Sequence, residues 1–361
     1  MRLLRNIATT LATWATLVAT VSAADVLISL DVNGKQLVGK PISWDNSRFY
    51  LLSRDGELFD FDPADAENFR KRSNYFYSYS PSEMRASLSR EFGNRFDVTG
   101  TGHYLVVHPA GERDLWAQRF EELYRSFVHY FSSRGFSARS PDFPLVAVVF
   151  HQKQDFLRFA SKDGVRGANG LLGYYSPRSN RVYLYDITAG KRQSEQWYAN
   201  SETIIHEATH QTAFNTGVHN RFATTPRWVA EGLGTMFEAP GVWNSRKYRS
   251  RSDRINHGRL KSFRRLAESR RPRNSIQQII AGDVLFQKDS QLAYAESWAL
   301  SFYLAELQPH KYSQYLQRVA ARKPFTKYTS ARREKDFTNV FGSDFRMLDV
   351  RVKRFIDELP Q

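Results

Sequence analysis

The sequence contains no cysteine in 361 residues. That absence excludes disulfide staples, thiol catalysis, cysteine-ligated metal and a cysteine-linked lipid anchor. Any metal site must use His, Asp and Glu. Long apolar runs are also missing: beyond the N-terminus nothing approaches the ~18 consecutive apolar residues of a spanning helix. Acidic residues are the minority, 37 against 52 Lys and Arg, for a formal charge of +15. Hydrophobic residues make up 41% and aromatic residues 14% of the chain, enough apolar area for a real core. A disordered chain, a collagen-like chain and a coiled-coil rod are therefore excluded. At roughly 100–200 residues per domain, the length suggests two domains.

Arg2 and Arg5 begin a basic start, residues 7–21 carry no charge, and Val21-Ser22-Ala23 is a small-residue pattern before Ala24. This predicts a cleaved export signal over 1–23 and a secreted or periplasmic protein with no transmembrane segment. A membrane anchor is the alternative, but the stretch is short and threonine-rich.

A small all-β domain is expected over 24–70. Val26-Leu27-Ile28 and Gln36-Leu37-Val38 flank Asn33-Gly34, and Phe49–Leu52 and Glu57–Phe61 flank Arg54-Asp55-Gly56, two hairpin signals. Four or five such strands suggest a small curled sheet or barrel. A Ser- and Tyr-rich linker is expected over 71–81. An α+β domain follows over 82–361. Its expected elements begin with a helix at 82–92, a hairpin at 96–108 and an amphipathic helix at 112–133. That helix aligns Trp116, Phe120, Leu123, Phe127 and Tyr130 on one face. A buried strand at 145–150 and a hairpin at 171–185 come next, then helices at 195–215, 226–238, 291–307 and 345–359.

His206-Glu207-Ala208-Thr209-His210 is an HExxH pattern within a helical stretch. Residues four apart share a helix face, so both imidazoles can reach one ion, and zinc takes nitrogen ligands at about 2.0–2.1 Å. Glu207 stands beside that ion rather than on it, placed to take a proton from bound water. The plain alternative is an exposed helix that carries two histidines by coincidence. A third ligand is needed. Glu231, in Trp228-Val229-Ala230-Glu231-Gly232, lies 21 positions after His210, and His219 is the histidine alternative. His219 stands nine positions after His210, where the HExxHxxGxxH arrangement requires six. Pro226 can start the Glu231 helix, Trp228 can bury its ring to fix it, and Gly232 can let two helices approach.

HExxH followed by a glutamate in W-x-x-E-G resembles the gluzincin metallopeptidases. WVAEGLGTMFE looks like the third-ligand helix of the aminopeptidase type. The stretch from HEATHQ to TMFE resembles exported bacterial proteins grouped as peptidase MA-like. The resemblance is specific over 201–238 and weaker, by order of elements, from 82 onward. It implies a zincin-like fold, zinc at His206, His210 and Glu231, Glu207 as general base, and a peptide or protein substrate. Thr235 departs from the thermolysin type, which places an aspartate there behind the histidines; Glu238 and Glu202 are the candidates to replace it. Aminopeptidase-like members supply an oxyanion donor from a later helix, which points to Tyr294, with Tyr198, Tyr303 and His219 as rivals. A core face formed with Trp298 and Phe302 is the plainer role for Tyr294. In gluzincins the strand before the metal helix is a sheet edge that pairs with substrate, here within 171–185.

Residues 246–273 carry twelve Lys or Arg and two acids. They offer a surface for a polyanionic envelope polymer, or simply a solvated helical face. Aromatic interleaving is thin and export argues against a genomic partner, so no nucleic acid is expected. The reading is an exported zinc metallopeptidase. The alternatives are a catalytically inert zincin-fold envelope-binding module and a zinc amidase acting on cell-wall peptides.

Overall fold

The computed structural model describes residues 25–111, 116–165, 167–187 and 196–360. The expected signal over 1–23 lies outside them. The fold is α+β, with, among the described residues, two five-stranded sheets and thirteen α-helices. The chain divides into two compact units, 1–79 and 80–361.

In the first unit the strands are β1 (Leu27–Val32), β2 (Lys35–Trp44), β3 (Phe49–Ser53), β4 (Leu58–Phe61) and β5 (Ala66–Ser73). They form an antiparallel sheet in the order β4-β3-β2-β1-β5. Asn33 and Gly34 both take positive φ, 50° and 78°, which a two-residue hairpin turn requires. Ile28, Leu30, Leu37, Leu51 and Phe61 form the small core. The expected linker is shorter than the sequence suggests, because β5 runs on to Ser73. The Ser- and Tyr-rich stretch also packs on its own unit: Tyr79 N–H donates to the Arg54 carbonyl at 2.7 Å, and the Arg54 guanidinium lies over the Tyr77 and Tyr79 rings.

The second unit opens with α1 (Pro81–Phe92), held by a reciprocal cap in which Ser80 and Glu83 each bond the other's backbone N–H. Its sheet has the order β6-β7-β8-β10-β9, from β6 (Phe96–Gly100), β7 (Tyr104–Pro109), β8 (Leu145–Phe150), β9 (Gly173–Ser176) and β10 (Arg181–Tyr185). β7, β8 and β10 run parallel, and β6 and β9 are antiparallel edges. Every residue of β8 is buried, as a continuous apolar run demands.

The remaining helices are α2 (Ala117–Ser132), α3 (Lys153–Lys162), α4 (Gln196–Asn215), α5 (Arg227–Phe237), α6 (Pro240–Trp243), α7 (His257–Ser269), α8 (Ser275–Ala281), α9 (Val284–Lys288), α10 (Ser290–Leu307), α11 (Pro309–Ala320), α12 (Ser330–Phe341) and α13 (Phe345–Asp357). The predicted face of α2, Trp116 to Tyr130, is buried; residues 112–115 of that expected helix lie outside the described ones. α4 packs beside β9 and β10, and α5 lies between α4 and α10. Trp228 anchors α5: its ring is fully buried, stacked on Tyr315 at 5.7 Å and edge-on to Phe337. Trp228→Ala would cost about 3–5 kcal/mol through the cavity it leaves.

Candidate metal centre

α4 presents His206 and His210 on one face, and their Nε2 atoms stand 3.0 Å apart. α5 brings Glu231 against them, with Oε2 3.3 Å from His206 Nε2 and 3.6 Å from His210 Nε2. These three residues form a group whose ligand atoms converge closely enough for one metal ion. Tetrahedral ligands at about 2.0–2.1 Å from zinc stand about 3.3 Å from one another, so the triangle has the right size. Glu231 Oε2 is buried without a hydrogen-bond partner, which a carboxylate oxygen tolerates poorly unless a cation meets it.

The tautomer follows from a second contact. His206 Nδ1 lies 2.8 Å from Glu238 Oε1, so the ring donates there and turns the Nε2 lone pair toward Glu231. Three lone pairs then converge, an arrangement a cation completes. In the metal-free protein a proton takes part of that role. Burial disfavours the His206 imidazolium, but the adjoining Glu231 and Glu238 carboxylates outweigh it and raise its pKa well above that of free imidazole. Burial likewise opposes the Glu231 anion, and the two histidines outweigh it, holding the carboxyl well below the usual range.

Glu238, one of the two acids considered for the place left by Thr235, is the one bonded to His206. It sits three positions beyond Thr235, whose hydroxyl donates to the Glu231 carbonyl of its own helix at 2.7 Å. Glu202 is exposed, and partial burial and the Glu238 charge raise its pKa. Glu238 is itself fixed from α7. Asn256 Nδ2 donates to Glu238 Oε2 at 2.7 Å and to the Thr235 carbonyl at 2.9 Å, while its Oδ1 accepts from Arg259 N–H and caps the helix. Asn256 carries no motif, and sequence reasoning misses it. Glu238→Gln or Asn256→Ala should weaken zinc binding about 10–100-fold without unfolding the protein, as read by competition with a chelating dye.

Glycine sets the approach of the helices, but at a different position from the expected one. A Cβ on Gly232 would sit 2.5 Å from the Ser297 carbonyl oxygen, so Gly232 admits α10, not the metal helix. Gly234 faces α4: a Cβ there would sit 2.7 Å from His206 Cε1 and 3.0 Å from Nδ1. Gly234→Ala should therefore displace the imidazole and lower zinc affinity by at least about 10-fold, the scale of a lost orienting contact. Metal titration beside a circular dichroism spectrum checks it.

Glu207 stands beside the triangle, and its charge acts on His206. Its Oε2 accepts from the Tyr175 backbone N–H at 2.8 Å. Tyr175 lies on the edge strand β9. Tyr185 N–H donates to the Leu172 carbonyl, so by alternation the backbone groups of Gly173 and Tyr175 point away from β10. The hairpin is tied to α4 from below. Gln211 Nε2 donates to the carbonyls of Val146 and Asn180 at 3.0 and 2.8 Å, and Asn180 and Asn215 exchange two amide bonds at 2.9 and 2.8 Å. Tyr175 O–H joins them at Asn180 Oδ1, at 2.8 Å.

Tyr294, in the first turns of α10, reaches the same place. Its ring meets Phe286 edge-on at 5.5 Å, and its hydroxyl lies beside Arg227 and Glu231. Burial and the Glu231 charge push its pKa up to about 12, which keeps the O–H protonated. Tyr303 is buried against Phe355, and the Tyr198 side chain lies outside the described residues. His219 is buried and is not one of the converging residues, with Nδ1 3.0 Å from the Val218 carbonyl. Burial and the nearby His210 push its pKa down to about 3.

Part of the basic stretch is engaged inside the fold. Arg254 pairs with Glu306, Arg270 with Asp289, and Arg271 with buried Glu296 and with Asp349. Arg264 donates to the carbonyls of Ile356, Asp357 and Leu359. These four cations make contacts within the fold. No helix among the described residues is long and apolar enough to cross a membrane.

Residues 200–326 match a family model described as a protein of unknown function, DUF1570. The matched span contains His206, Glu207, His210, Glu231, Glu238, Asn256 and Tyr294 together. A search of curated proteins finds no match.

Proposed function

We propose that the chain is an exported zinc-dependent metallopeptidase of gluzincin type, built on a zincin-like domain that follows a small β domain in sequence. The observation that carries this reading is the triangle of His206 Nε2, His210 Nε2 and Glu231 Oε2, with Glu207 beside it and Glu238 behind it. Zinc held by these three atoms supplies Lewis acidity toward a carbonyl and toward water.

The rest is the work of side chains. Glu207 accepts the proton of the attacking water and passes it to the leaving amine. Tyr175 N–H holds the Glu207 carboxyl group in place for the two transfers. Tyr294, kept protonated, donates to the carbonyl oxygen as it gains negative charge. The outward backbone of Gly173 and Tyr175 pairs with an extended peptide, which reads main chain and so tolerates many sequences. Tyr175 N–H already serves Glu207, so pairing runs mainly through the other outward groups.

The test joins metal analysis to turnover. One zinc per chain is expected, with hydrolysis of a denatured protein mixture that stops with a chelator and returns with zinc. His206→Ala and His210→Ala should lose both. Unchanged zinc stoichiometry in a folded His206→Ala protein would refute the site, and release of peptide from purified cell wall alone would favour the amidase.

A further inference from the structure

Arg227 has no role in the chemistry above, yet it is a cation set against the cluster. It opens α5, one helical turn before Glu231, and its Nε lies 3.5 Å from Glu231 Oε1. That distance is at the long end for an ion pair, and the carboxylate's other oxygen belongs to the metal triangle. One carboxylate charge thus serves two claims, and a metal ion at the triangle leaves Arg227 without a full counter-ion. The guanidinium is also held in place: it lies over the Phe286 ring at 4.4 Å, and the Tyr294 hydroxyl sits beside it. Its backbone N–H is tied to Asp283 Oδ1 at 3.2 Å, which fixes the start of the helix.

Exposure separates Arg227 from its neighbours. The side chains of His206, His210 and Glu231 are 15%, 12% and 15% exposed, whereas that of Arg227 is 44% exposed. A ligand at the cluster therefore meets an oriented, open guanidinium. A second arginine, Arg259, lies over the Tyr294 ring at 5.1 Å, with Glu202 as a nearby acid.

We propose that Arg227 anchors a carboxylate of the substrate, set within two residues of the bond to be cleaved. This rests on the peptidase reading and names the class of peptide it takes. An extended chain advances about 3.3–3.6 Å per residue, so a carboxylate one or two residues beyond a carbonyl at the triangle reaches the guanidinium. The planar fork of arginine matches a carboxylate through two parallel bonds, which a lysine cannot reproduce. The carboxylate is either the chain's own C-terminus or an Asp or Glu side chain, since both present the same group.

The experiment is a binding titration, so it does not depend on turnover. Zinc-loaded Glu207→Gln protein is titrated calorimetrically with three probes. They are N-acetyl-Ala-Ala with a free C-terminus, the same peptide as its amide, and N-acetyl-Ala-Glu-amide. At least one acidic probe should bind ten-fold or more tighter than the neutral amide, and which one does so identifies the source of the carboxylate. Adding Arg227→Gln should reduce that preference to within two-fold. Adding Arg227→Lys, which keeps the charge and the zinc, should lose most of it. Equal binding of all three probes, or a preference that survives both Arg227 substitutions, overturns the proposal. Turnover of the parent protein is measured separately: a carboxylate preference without any hydrolysis keeps the anchor and removes the peptidase reading instead.

Discussion

Glu207→Gln should leave zinc bound and lower turnover by about 10²–10⁴-fold, the range removed with a general acid–base group. The two effects separate because Glu207 touches none of the three ligand atoms. Its carboxylate meets Tyr175 N–H, and a glutamine amide oxygen can still accept that bond, so the edge strand and α4 keep their relation. What the amide cannot do is hold a proton between water and leaving group. The check is metal content and kcat on one sample. A fall in kcat and kcat/KM together is the mark of a group acting in the transition state. Parent-like rates in a zinc-loaded variant would remove Glu207 from the mechanism.

Glu231→Gln should act on the metal itself. The substitution keeps the shape of the side chain but removes the anionic charge at the buried Oε2, and two histidines leave a tetrahedral ion short of ligands. Contacts behind a ligand are worth about 10–100-fold in affinity, so loss of a direct ligand should exceed about 100-fold. α5 should survive, because Trp228 and its stacking on Tyr315 hold it independently of the metal. His219→Ala, measured beside it, should retain zinc, since its ring is not among the converging ligand atoms and its Nδ1 bonds the Val218 carbonyl. A fully loaded Glu231→Gln protein with an empty His219→Ala protein would reverse the ligand assignment.

The contrast between those two residues shows what spacing alone can read. HExxH is local: a helix places its residues on one face whatever else the chain does, so His206 and His210 are legible from five letters. Glu231 is legible because its helix announces itself with Pro226 and Trp228. The α+β character and the N-terminal β region follow from hairpin turns and apolar periodicity. Asn256 is not legible, because its contact with Glu238 exists only once the start of α7 meets the end of α5. Gly234 and Gly232 look interchangeable in sequence, and only the packing tells which neighbour each one admits. The extent of β5 is hidden for a related reason: Lys71 to Ser73 read as polar linker, and pairing with β1 makes them strand. Net charge in 246–273 likewise does not reveal the intramolecular partners that Arg254, Arg264 and Arg271 meet on α10 and α13.

Residues 232 and 234 stand nearly opposite one another around α5, one bare flank against α10 and the other against the His206 ring. The wall between the helical core and the cluster is therefore one backbone thick, with no side chain to absorb a displacement. A saturation scan scored by metal retention should show this as a corridor of intolerance. Enlarging Ser297 or Ser301 on α10 should register at His206, although neither serine touches it. Equally bulky changes on the outer face of α4 should pass unnoticed. Such a corridor would mean that fitness at the centre is inherited from packing on the far side of a single helix.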